Sequence, residues 1–166
     1  MTLSGSLQLL QHSFLGTAVA SVPWVFPITE TIHVLSLAVV FGSIVMLDLR
    51  LVGISSRTGA VSAISHEVLP FTWVAFAVAT VSGALLFLSN ASGYAANRQF
   101  QLKFLFIALA GVNMLAFHLG AYRSVSQWDH RMPPPNAARI AGVLSIVLWL
   151  TIIVFGRWTG YTMSGE

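Results

Sequence analysis

Four stretches of this chain are apolar and unbroken for long enough to cross about 30 Å of hydrocarbon as helices: Ile28–Leu49, Val68–Asn90, Phe100–Ala121 and Ala138–Phe155. In lipid the backbone has to satisfy its own hydrogen bonds, which leaves helices or closed barrels. A barrel needs short alternating strands, and these runs are continuous. The chain is therefore expected to be all-α, a transmembrane four-helix bundle forming a single domain over residues 1–166. Composition agrees, since 56% hydrophobic and 8% charged residues leave too little polar surface to coat a globule in water.

The same composition excludes several classes. There is no Cys, which removes disulfides, thiolate metal sites, iron–sulfur clusters and c-type haem attachment. A net charge of +3 spread between spans reads as a topology signal, and no nucleic-acid partner is expected. Ahead of the first span, Leu3, Leu7, Leu10, Phe14, Ala18 and Val22 recur at helical spacing while Ser4, Gln8, Gln11, His12 and Ser21 avoid that stripe, predicting one amphipathic interfacial helix over residues 3–22. "VPWVFP" (Val22–Pro27) breaks it, with Trp24 suited to the headgroup zone and the first span starting after Pro27. No Lys or Arg precedes this apolar part, so it lacks the basic region of a secretory signal and is expected to stay on the mature protein. "RMPPPNAAR" (Arg131–Arg139) stops one helix and starts the next, with Asn136 expected to cap it.

An ionisable group in hydrocarbon is costly unless it is paired or faces the bundle interior. At 100° per residue, Thr29, Glu30, His33, Ser36 and Asp48 fall on one face of the first span, and Lys103, Gly111, Met114 and His118 on one face of the third. Both seams are expected to point inward. Glu30 and Lys103 come out at the same depth, about 13 Å toward the outer side, as natural ion-pair partners. Asp48 and Arg139 are expected to form a structural pair at the cytoplasmic boundary, and Trp149 and Trp158 to serve packing and interface anchoring.

Two buried histidines point to haem, because imidazole ligation in a helical bundle is a common way for a cysteine-free protein to hold an electron-transfer cofactor. His33 and His118 differ by about 17 Å along the membrane normal, so they cannot share one iron. Either each holds its own haem b, or one ligates and the other serves another purpose. Gly83 near the depth of His33 and Gly142 near that of His118 would leave gaps for a flat macrocycle, or simply let helices pack closely. Second ligands are weakly specified: His66, His130 and Met114 for His118, and His12 for His33.

"ETIHVLSLAVVFGSIVMLDLRLVG" and the "FGRW" after the fourth span resemble a widespread class of small bacterial four-helix membrane proteins without known activity. The layout is also similar to the membrane-bound protoporphyrinogen oxidases and copper-resistance D-type proteins, which pair an early His in the first span with a Lys and a later His, here His33 with Lys103 and His118 in "LKFLFIALAGVNMLAFH". That resemblance implies b-type haem and electron transfer to a membrane acceptor.

The reading is a b-type cytochrome-like redox protein, either a haem-dependent membrane oxidoreductase or its electron-transfer subunit. His33 and His118 would be haem-iron ligands, His66 a weaker candidate, and Glu30 and Lys103 would set charge at a propionate or a quinone. Its partners would be lipid, quinone, and a partner subunit or a second copy. The rivals are an ion, proton or metal transport module, with Glu30, His33 and Asp48 as a relay, and a structural subunit of a larger complex. The resemblance implies the bacterial inner membrane, and because Arg50, Arg57, Arg123, Arg131 and Arg139 outnumber Arg98, Lys103 and Arg157 on the other side, both termini are expected to be non-cytoplasmic. A C-terminal fusion to a reporter active only in the cytoplasm should stay silent, and a signal from it would reverse the topology.

Overall fold

The computed structural model describes residues 3–54, 61–129 and 133–164. His130, Arg131 and Arg57, named above as a ligand candidate and topology signals, lie outside the described residues. Helices α1 (Leu3–Gln11) and α2 (Phe14–Ser21) precede the long α3 (Val25–Val52) and α4 (Val61–Ser89). A short α5 (Ala91–Ala96) leads into α6 (Arg98–Leu119); a 3₁₀ turn (Ala121–Ser124) and α7 (Val125–Trp128) follow, and α8 (Asn136–Ser164) ends the chain. Four helices are long and apolar enough to cross a membrane, with mean hydropathy of 2.2, 2.0, 1.9 and 2.3 in chain order. At 1.5 Å per residue, α3, α4 and α8 each reach about 42 Å and so extend past the hydrocarbon into the headgroup zone or tilt, while the 22 residues of α6 reach about 33 Å.

Local chemistry sets the boundaries and corrects several expected ones. The interfacial helix is two helices, because the Ser13 side chain accepts from the Gly16 N–H at 3.2 Å and caps a fresh start. α3 begins at Val25, ahead of Pro27, which is tolerated in a first turn where its missing N–H would have had no helical partner. α3 ends at Gly53, whose φ of 89° permits the left-handed cap, and the Ile54 N–H closes it on the Leu49 carbonyl at 3.0 Å. α4 starts two turns earlier than expected, so Pro70 lies inside it and His66 and Glu67 are exposed on its first turns. Asn136 is the first residue of α8, and the Pro135 carbonyl accepts from the Ala138 N–H at 2.9 Å.

α3 packs on α4 and α6 on α8, and an α3–α8 contact joins the two pairs. α2 lies on α4 and α1 on α5. Away from the chain termini, Leu51, Val61, Trp128 and Ala138 form a small buried core. Ala110, Leu148 and Ile152 form another between α6 and α8, where the Asn113 amide also donates to the Ala141 carbonyl at 2.9 Å. Gly142 lets α8 approach α3 so closely that a Cβ there would sit 3.1 Å from the Asp48 carbonyl oxygen and 3.2 Å from Leu51. Lipid is as apolar as the side chains, so such close approaches, rather than hydrophobic burial, hold spanning helices together. Replacing Gly142 by Val should push α8 off α3 and cost about 1–3 kcal/mol, read as a lowered unfolding midpoint in detergent.

Candidate functional site

At the end of the bundle that carries both described chain ends, α3 and α8 part and a cavity of about 470 Å³ opens between them, backed by α4, α5 and α6. Its walls are mostly apolar, including Leu37, Phe41, Leu86, Trp149 and Ile152. Phe87, Tyr94 and Phe100 close over its end, with Phe87 and Phe100 stacked at 5.6 Å and Tyr94 5.3 Å from Phe100.

Polar side chains reach this cavity from α3, α5, α6 and α8: Glu30 and His33 on α3, Tyr94 on α5, Lys103 on α6, and Arg157 and Thr159 on α8. The His33 ring lies against Gly83, with Cε1 2.9 Å from where a glycine Cβ would be, so only Gly fits at 83. There Nδ1–H donates to the Ala79 carbonyl at 2.9 Å and faces Ser82 Oγ at 3.1 Å, while the Ser82 hydroxyl itself donates to Val78. That tautomer leaves Nε2 as an acceptor on the cavity wall, without a protein partner among the described residues. Lys103 lies over Gly156 of α8, its Nζ 3.6 Å from the position a Cβ would take. Glu30 stands at the exposed edge. Burial, and then the nearby Glu30 carboxylate, push the Tyr94 phenol above its ordinary range.

The sequence placed Glu30, His33 and Lys103 together, and the structure brings all three to one cavity. The expected Glu30–Lys103 ion pair is not formed among the described residues, because α8 rather than α3 is the helix on which α6 packs. His118 departs further. It is exposed, its Nδ1–H donates to the Met114 carbonyl one turn back at 2.9 Å, and its ring sits 5.2 Å from Tyr122. The face of α6 turned to α8 is the stripe through Phe106, Ala110, Asn113 and Phe117, whereas Gly111, Met114 and His118 lie on Lys103's other side and face outward. The inward seam expected on the third span is therefore only half right. His66 is exposed on α4, and His12, in the turn between α1 and α2, is exposed and does not line the cavity.

The gaps expected at Gly83 and Gly142 are filled by the His33 ring and by α3 itself, so neither is room for a macrocycle. Asp48 is buried with its neighbour Ser145, but its Oδ2 and the buried Nε of Arg139 have no hydrogen-bond partner among the described residues, so the expected pair is not made through those atoms. Six residues separate Ser145 from Arg139 on α8, about 9 Å of rise, and the carboxylate is turned to the former. Tyr94 was missed because its segment reads as a connecting loop. Arg157, also on the cavity wall, was read only as a topology charge, although it belongs to the quoted "FGRW".

Fold and site together define a four-helix protein of membrane-spanning type with a polar-tipped cavity at one end of the bundle. The chain belongs to a family of unknown function (DUF6644), whose model matches residues 7–162. No curated protein and no solved structure matches it.

The raised Tyr94 phenol has a testable sign. It stays neutral in the fold at pH values where an ordinary phenol ionises, so its contribution to stability is complete below the ordinary phenol range and lost as pH climbs through the raised value. In spectrophotometric titration, the component removed by Tyr94→Phe should ionise above the ordinary phenol range and move down, without becoming ordinary, in Glu30→Gln.

Proposed function

We propose that this chain is a membrane-embedded redox subunit whose cavity binds the head of a membrane-soluble quinone. The observation that carries the reading is the convergence on a mostly apolar cavity of four polar groups without hydrogen-bond partners among the described residues: acceptors at His33 Nε2 and Glu30, donors at Lys103 and Tyr94. Polar groups that face an apolar cavity are costly unless satisfied, and a ligand with oxygens at opposite ends of a flat apolar ring would satisfy both kinds. A cavity of about 470 Å³ lies within the usual range for small-molecule sites.

In quinol oxidation the two O–H bonds break, one proton going to His33 Nε2 and one to the Glu30 carboxylate. The two electrons leave singly to a one-electron carrier in a partner subunit, and quinone reduction runs the same transfers backward. Lys103, as a cation beside the ring oxygen, favours the form in which negative charge develops there.

A single b-type haem on His33 is the second reading. It is favoured by the Nδ1–H donated to the Ala79 carbonyl, the arrangement by which ligating imidazoles are commonly oriented. His33 would hold the iron and Lys103 and Arg157 the propionates, and the haem would supply one-electron chemistry. His118 is exposed and does not line this cavity. The relay reading has less support, since Asp48 lies outside the cavity beyond Val40, which is fully buried.

The purified chain in nanodiscs should bind quinone, with His33→Ala and Lys103→Met each weakening it by roughly tenfold, or about 1.4 kcal/mol. A Soret band lost in His33→Ala and kept in His118→Ala would select the haem reading. Absence of both quinone binding and a Soret band would end the redox proposal.

A further inference from the structure

The outward-facing part of the cavity wall comes from two helices only. Its exposed lining residues are Glu30, Val34 and Ala38 on α3 and Ile153, Arg157 and Gly160 on α8, while every other lining residue is buried or half-buried. Each set recurs at helical spacing, so each forms a stripe along its helix, about 12 Å long on α3 and about 10 Å on α8. The mouth is thus a slot running along the bundle rather than a hole at its end, and the end is roofed by the aromatic side chains over α5.

The slot is graded. Glu30 and Arg157 stand toward the termini end, and Arg157 is held with its guanidinium 5.1 Å from the Tyr161 ring. Val34, Ala38 and Ile153 follow toward mid-span, and a Cβ on Gly160 would meet nothing within 4 Å. Charged lips at the termini end of an otherwise apolar slot match an amphiphile whose tail lies in the bilayer.

Resting on the quinone reading, we infer that the ligand is a long-tailed isoprenoid quinone that enters sideways from the lipid leaflet on the termini side. Its head passes inward to Lys103 and His33, and its tail stays in the slot between α3 and α8. A water-soluble ligand of the same head group has no tail to leave there.

The chain has no native Cys, so single cysteines report cleanly. Ala38→Cys and Ile153→Cys would be made in the full chain in nanodiscs, with Val147→Cys on another exposed face of α8 as control. Loading a fully ring-substituted isoprenoid benzoquinone should slow labelling of Ala38→Cys and Ile153→Cys by a lipid-soluble maleimide about tenfold, while a tail-less benzoquinone methylated at every ring carbon, to which thiols do not readily add, leaves labelling unchanged. A bulky label attached beforehand at Ile153→Cys should slow loading of the isoprenoid quinone about tenfold, and the same label at Val147→Cys should not. Equal protection by both quinones, no protection by either, or equal slowing at Val147→Cys would overturn the inference while leaving head-group binding intact. Oxidative cross-linking of Ala38→Cys chains to each other would also overturn it, because a second copy would then cover the slot. If the wild-type chain binds neither quinone, the functional reading itself has failed.

Discussion

Lipid offers a spanning helix no gain for burying its apolar side chains against another helix, so this bundle depends on the few places where two backbones can come close. Gly142 is one, where α8 meets the α3 backbone at Asp48. Gly83 is another, where the missing side chain admits the His33 ring and the Ala79 carbonyl receives its proton. A third is Gly16, which brings α2 against the α4 backbone at Leu88. Because α3 is held to α8 at the end away from the termini and to α4 near the other, α3 and α8 part toward the termini. The cavity is what that parting leaves.

The energetics of the polar groups follow from this geometry. His33 has half of its hydrogen-bonding capacity used by α4, which fixes the ring and leaves one nitrogen for whatever the cavity holds. Lys103 spends its apolar stem on the surface of Gly156, so the ammonium reaches the cavity without crossing it. Asp48 is different in kind: it is buried between packed helices, with Ser145 as neighbour and no opening. On the proposed reading the first two are therefore tools for a ligand, and Asp48 belongs to the packing of α3 on α8.

Much of the site was legible because depth is arithmetic in a spanning helix. Counting 1.5 Å per residue put Glu30, His33 and Lys103 toward one end, and they meet there. Direction was harder to read. Lys103 stands at the border of two stripes on α6, and the polar one through Met114 and His118 looked like the inward face. The true inward stripe carries Asn113, whose amide bonds the α8 backbone, but an Asn among Phe and Ala looks like an interruption until a partner helix is placed beside it.

The sequence by itself determined the secondary structure class, the four long apolar helices and the level of each polar group. Hydropathy and helical rise are properties of one segment and its solvent. Only the tertiary structure decided which helices are neighbours, that α8 and not α3 receives α6, and that Tyr94 and Arg157 join the cavity. Lipid exerts no pull on apolar faces that could be read from their pattern, so helix order is set by glycine contacts and single hydrogen bonds between segments far apart in the chain. Those contacts exist only once both partners are in place.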